Sequence, residues 1–242
     1  MNAPIRVLDL SRSTPFFMLL LPVALIAFWP SYLSQVPAYA AHTHAHAVTA
    51  ATWILLLIAQ PLAIRKRRMA LHRATGQLSF LIAPLVVVSI VLLAHNRIRG
   101  LEGEAYAIQT YILYLQISLA FLFALSYVLA IVNRRTMALH ARFMICTALT
   151  LIDPITIRLM AWWNPAPGLN YNWVTFAFTD LLFVALIWLD RRSTRGRWVF
   201  PAMFVVFALT QVPVFLTASW DEPFGLPIWK AFAAWFANLL LT

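Results

Sequence analysis

The sequence predicts an all-α fold, an integral membrane helical bundle of seven or eight transmembrane spans, in one domain covering residues 1–242. Three observations predict it. The chain is 62% hydrophobic and only 11% charged, whereas soluble domains carry about 25% charged residues. Its apolar residues gather in runs near the length of about 20 residues that a hydrocarbon core requires. Its Lys and Arg residues concentrate in alternate inter-run segments, as orientation signals do.

The first run, 14–35, follows Arg6 and Arg12 and so has the layout of a signal peptide. It is long, however, and no small-x-small cleavage signal follows its apolar core directly, with only AYAAH at 38–42 as a competitor. It is therefore read as a retained span. Further spans are expected at 46–64, 76–95, 106–132, 139–163, 172–189 and 198–218. The last apolar stretch, 226–241, carries Lys230 and is read as a short eighth span or as a helix lying in the interface.

Orientation follows from the basic residues. With a cytoplasmic N-terminus, fourteen Lys and Arg fall inside: Arg6, Arg12, Arg65, Lys66, Arg67, Arg68, Arg73, Arg134, Arg135, Arg142, Arg191, Arg192, Arg195 and Arg197. Three fall outside, Arg97, Arg99 and Lys230, and Arg158 lies within a span. The expected location is a bacterial inner membrane, with the lipid bilayer as the principal partner. The net charge of +10 thus reads as topology and not as nucleic-acid binding. Its 10 Trp, 7 Tyr and 17 Phe suit interfacial and lipid contacts. Cys146 is the one cysteine, which excludes an intramolecular disulfide and a C-x-x-C site. The phosphate-binding G-x-x-x-x-G-K-[ST], H-E-x-x-H and G-x-S-x-G motifs are all absent from the sequence.

Two short motifs repeat. MALHRATG at 69–76 and MALHARFM at 137–144 each follow a basic turn and lead into an apolar run. Both place a histidine where the chain re-enters the membrane, which suggests a duplicated helical hairpin. The set Gln60, His72-Arg73-x-x-Gly76, His140-x-Arg142-x-Met144 and Arg158 resembles a family of bacterial multi-pass membrane proteins classed as a domain of unknown function. The resemblance covers about residues 40–190 and makes His44 or His46 the match for a further family histidine. It implies the helical fold and marks these positions, and it carries no established activity.

The chemistry these residues could perform falls into three groups. His72 and His140, with Arg73 and Arg142 beside them, could hold a b-type haem or a metal ion at the inner face. There arginine would pair with haem carboxylates, or all four would anchor in headgroups. His42, His44 and His46 alternate, and an extended segment would set them on one face. With His95, and with Glu102 or Glu104, they are candidates for an outer transition-metal site. A two-haem relay is disfavoured, because His72 and His95 are 23 residues apart, about 34 Å on a helix. That exceeds a core of about 30 Å.

The third group is ionisable. Asp153, Arg158 and Asp180 lie in apolar surroundings, where such groups pair or face a cavity. His46, Thr49, Trp53 and Gln60 recur at helical spacing, Gln109 and Gln116 are a heptad apart, and Gln211 falls in the seventh span. Together they predict a polar pocket in the outer half of the bundle, suited to a quinone-like or anionic headgroup. An Arg158–Asp180 bridge is its purely architectural counterpart. The candidate functions are thus a redox-linked haem or metal protein with a quinone or respiratory-chain partner, a transporter or lipid-binding protein, and a membrane scaffold for respiratory-complex assembly.

Overall fold

The computed structural model describes residues 13–162, 171–216 and 227–241. Among them are helices α1 (Thr14–Phe28), α2 (Ala41–Arg65), α3 (Met69–Ile98), α4 (Gly103–Val132), α5 (Met137–Leu149), α6 (Ile152–Trp162), α7 (Asn172–Asp190), α8 (Val199–Leu216) and α9 (Pro227–Ala237), with a short 3-10 turn at Leu33–Ala38. There is no strand among the described residues. Five elements are long and apolar enough to cross a membrane, namely α2, α3, α4, α5 with α6 taken together, and α7. α1 and α8 are apolar but shorter. The chain is a multi-pass helical membrane protein.

The helices follow the expected runs, with differences at both ends of the chain. The first run was expected to reach residue 35, but α1 ends at Phe28. Trp29 keeps helical torsions, but Pro30 has no N–H for the Ile26 carbonyl four residues back, which takes the Trp29 N–H at 3.1 Å instead. Of the stretch expected at 226–241, the described residues from 227 onward form only the 11-residue α9, about 16 Å long. That is half a hydrocarbon core, too short to cross alone. α9 packs against α3 and α4, with Trp229 Nε1 donating to the Thr110 carbonyl at 3.1 Å.

Helices α2 to α5 form an antiparallel four-helix bundle, each packed on its neighbour in sequence, with α5 closing against α2. α1 lies outside it against α2 and α6, and α7 and α8 pack beyond α6 and α5. The turns at 65–68, 133–136 and 191–198 therefore share one end, called here the basic end. Residues 29–40 and 99–102 share the far end.

Both MALH motifs begin helices, since Met69 is the first residue of α3 and Met137 the first of α5. The hairpins then diverge. α3 runs unbroken for 30 residues, whereas α5 stops at Leu149 and α6 resumes at Ile152. Pro154 explains the break, because it offers no N–H to the Thr150 carbonyl four residues back and its ring crowds that carbonyl.

The centre of the bundle is aromatic. Trp53 is 1% exposed. It packs edge-on against Phe123 and Tyr127, with centroids 5.0 and 5.5 Å away, and its Nε1 donates to Thr147 Oγ1 at 3.3 Å.

Candidate functional site

At the basic end, the sequence pattern drew attention to His72, Arg73, His140 and Arg142. The structure divides them. Arg142 is buried and fully engaged. Its Nε donates to Asp190 Oδ2 at 2.7 Å, its Nη2 to Asp190 Oδ1 at 2.5 Å and its Nη1 to the Ala138 carbonyl at 2.6 Å. Ser193 Oγ donates to the same carboxylate at 2.6 Å. Arg142 is thus a clamp joining α5, α7 and the 191–198 turn. This corrects the expectation that it holds a cofactor carboxylate, because its fork is already occupied. Arg73 is exposed.

The turn beneath the clamp depends on Gly196, whose φ is +78°. A Cβ there would lie 3.3 Å from Arg142 Nη1 and 3.2 Å from Leu139 Cδ2. Gly196→Ala should therefore lower stability by about 1–2 kcal/mol, the cost of a left-handed conformation for a non-glycine residue. Thermal denaturation in a single detergent checks this.

His72 and His140 lie close enough for their charges to interact. The Nδ1 of His140 bonds the Ala130 carbonyl at 2.9 Å. That bond requires Nδ1–H, so the lone pair resides on Nε2. The Nδ1 of His72 is buried without a hydrogen-bond partner. Gln60 belongs to this end too, donating to Thr75 Oγ1 at 2.8 Å and to the His72 carbonyl at 3.3 Å. This corrects its assignment to an outer pocket. From His46 to Gln60 is 14 residues of helix, about 21 Å of rise.

At the far end, the histidines do not converge. α2 begins at Ala41, so His42, His44 and His46 are helical and lose the shared face that an extended strand would provide. His44 uses both nitrogens on the adjoining loop, Nδ1 with Tyr32 Oη at 2.8 Å and Nε2 with the Tyr39 carbonyl at 3.0 Å. His46 Nδ1 meets Ser89 Oγ at 3.1 Å. His95 is fully buried, its Nε2 on the Leu239 carbonyl at 2.8 Å. Glu102 lines a separate shallow depression beside α9. Among the described residues no three His, Cys, Asp or Glu side chains group as metal ligands.

The acids and Arg158 also part company. Asp153 Oδ1 accepts from Thr179 Oγ1 at 2.5 Å and Asp180 Oδ1 from Gln211 Nε2 at 3.1 Å. The two carboxylates are near enough to feel each other's charge. Arg158 is five residues from Asp153, about 140° around the helix, and turns instead toward α1. Its guanidinium carbon sits 4.1 Å from the centre of the Phe28 ring, and Nη1 donates to the Pro154 carbonyl at 2.7 Å. Among the described residues no carboxylate pairs with it, so the expected Arg158–Asp180 bridge is not formed.

What Arg158 has is space. With Ala27, Pro30 and Ser31 of α1 and its following turn, and Ala161 and Trp162 of α6, it lines an open pocket of about 440 Å³. Arg97 is close enough to add to its positive field, with His46 and Tyr39 also near. The arrangement can bind an anion beside an apolar wall. Sequence reasoning missed Phe28, which faces the guanidinium, and Trp162, which lines the pocket. Their signal was position, as aromatic residues at the end of an apolar run. Asp190 was missed as well, although it is the one acid at the end of span 172–189 that borders the basic residues Arg191 and Arg192. Gln109 Nε2 and Gln116 Oε1 are buried without partners, away from Arg158 on the face of α4 that carries Phe123.

No known protein-family model, curated protein or solved structure matches the chain.

Proposed function

We propose that this membrane protein binds an amphiphile with an anionic headgroup, of the lipid or quinone-like class, in the Arg158 pocket. The observation that carries this is a guanidinium between apolar helices, with no carboxylate partner among the described residues and an open pocket in front of it. A charge so placed is costly unless something compensates it. Phe28 offers only cation–π attraction, about 0.5–2 kcal/mol. A phosphate or carboxylate would compensate the charge directly and could take two donors of the guanidinium fork. The apolar side of the pocket would carry the tail. Seven spans, a cytoplasmic N-terminus and an inner-membrane location complete the proposal, supported by the fourteen-to-three distribution of basic residues. They put the pocket near the periplasmic face. Binding of this kind serves a transporter or a lipid-handling protein equally.

The test is calorimetric titration of the purified protein with short-chain phosphatidic acid in a non-ionic detergent. Arg158→Gln should weaken binding at least tenfold, about 1.4 kcal/mol, with helical content unchanged. Equal affinity in both proteins would remove Arg158 as the anion's partner.

A second proposal concerns His72 and His140, which we take as a site for a b-type haem or a transition-metal ion in a redox-linked role. His140 favours it, since a carbonyl fixing Nδ1–H is the usual support behind a ligating imidazole. So does the unpartnered Nδ1 of His72. Absorbance spectra of oxidised and dithionite-reduced protein, with metal analysis, should show one cofactor that His140→Ala removes. A spectrum unchanged by His140→Ala would end this reading.

A further inference from the structure

Two arginines from different helices meet at the far end. α6 packs Ile155 and Leu159 with Ala24 and Ala27 of α1 and Ile54 of α2, which brings Arg158 beside the first half of α2. α3 packs on α2 as well, and there Ser89 Oγ meets His46 Nδ1 and Thr49 Oγ1 at 3.1 and 3.0 Å. Arg97 lies in the last turn of α3, one heptad beyond Ile90, which packs with Trp53 and Leu57 of α2. A heptad keeps two residues on one helix face, so Arg97 shares the face of α3 that meets α2. The charges of Arg97 and Arg158 are near enough to interact, and His46 lies within reach of Arg158.

The turn between α1 and α2 is pinned at the same place. Tyr39 Oη donates to the Ser31 carbonyl at 2.5 Å, and Tyr32 Oη meets His44 Nδ1 at 2.8 Å. Ser31 lines the Arg158 pocket, so these bonds hold its rim. Neither arginine is neutralised. Among the described residues the one ion pair is Arg142–Asp190, at the opposite end. Arg97 is exposed, and its flexible side chain can turn toward a ligand in front of Arg158. Two unit charges of one sign repel, the more so as the medium becomes less polar. A single negative charge would answer Arg158 and leave Arg97 in excess, whereas two would answer both.

We infer that the pocket selects a phosphomonoester headgroup over a singly charged phosphodiester, and that Arg97 is the residue that sets this preference. The inference rests on the anionic-amphiphile reading of Arg158 and narrows it. A phosphomonoester carries a charge of about −1.5 to −2 at neutral pH and three strong acceptor oxygens. Two of those oxygens suit the Arg158 fork, and the third, with the second charge, faces Arg97. A phosphodiester has one acceptor oxygen fewer and only one charge, so it offers Arg97 little.

The experiment is calorimetric titration of the full chain in non-ionic detergent at mildly alkaline pH, where the monoester is doubly charged. Short-chain phosphatidic acid is compared with short-chain phosphatidylmethanol, which differs by one methyl group on the phosphate. Wild type should bind phosphatidic acid about tenfold more tightly, as one added charge interaction at a protein surface allows. Arg97→Gln should weaken phosphatidic acid alone and bring the two affinities together. Arg97→Lys should restore most of the preference, because it keeps the charge. Salt should shrink the preference in wild type and leave Arg97→Gln unchanged. Arg158→Gln should weaken both lipids. Circular dichroism of each variant establishes folding. Inorganic phosphate, titrated alongside, separates the sources. Weak binding marks a lipid headgroup, and binding as tight as that of phosphatidic acid keeps the selection by two arginines and makes free phosphate the ligand. Equal wild-type affinities for the two lipids overturn the inference, as does a preference that survives Arg97→Gln. In either case weakening of both lipids by Arg158→Gln leaves the pocket reading standing. Lipid affinities unchanged by Arg158→Gln overturn both.

Discussion

Arg142→Ala is expected to destabilise the protein by about 3–5 kcal/mol, the range for removing one partner of a buried pair. Arg142 and Asp190 are 2% and 1% exposed. Without the guanidinium, the buried Asp190 carboxylate keeps, among the described residues, only Ser193 as a donor. The clamp also sets the position of α7 and the basic turn after it, so loss should loosen α5, α7 and α8 together. Arg142→Lys should recover little, because an ammonium cannot reproduce the two-donor fork. Replacing both partners, as Arg142→Met with Asp190→Leu, should be far milder than either single change, since apolar replacement of a buried pair is often neutral. Thermal denaturation of wild type, Arg142→Met, Asp190→Leu and the double variant in one detergent measures the coupling. Additive single effects would mean that the pair is not a unit.

Trp53→Ala is expected to cost about 3–5 kcal/mol, as large aromatic truncations in packed interiors do. Lipid tails are as apolar as the bundle core, so helix association rests on packing contacts more than on escape from water. A void at Trp53 removes the edge contacts to Phe123 and Tyr127 together. Those pairs contribute about 0.5–1.5 kcal/mol each beyond area, and Thr147 loses its donor as well. Trp53→Phe should retain most of the packing and cost less. Denaturation of Trp53→Ala and Trp53→Phe against wild type checks the order. Near-equal stability of Trp53→Ala would show that the interior is loosely packed.

Helix placement was largely legible in the sequence because it depends on local properties. Apolar runs, basic turns and prolines lie within one stretch of chain, and both MALH motifs fall at the helix starts that their basic turns imply. Pairing was less legible. Arg142 resembles a cofactor ligand until Asp190, 48 residues away, is seen to occupy it. Arg158 and Asp180 are expected from the sequence at comparable depth, but depth does not fix the direction around a helix, and α6 sends Asp153 toward α7 and Arg158 toward α1. Gln60 was grouped with His46 through shared periodicity, which marks a common face without a common depth. The alternating histidines depended on where α2 starts, and a start at Ala41 removes the extended geometry. The Arg158 pocket needs Ala27, Ser31 and Trp162 from separate helices and a turn, and no local pattern joins them.

Native mass spectrometry of gently solubilised protein tests the central claim most directly. Wild-type protein should retain a lipid or other amphiphile with a phosphate or carboxylate headgroup. Arg158→Gln, matched in helical content and gel-filtration profile, should lose that species while keeping neutral lipids. An identical set of bound anionic species in the two proteins, or none in either, would contradict an anion-binding role for Arg158.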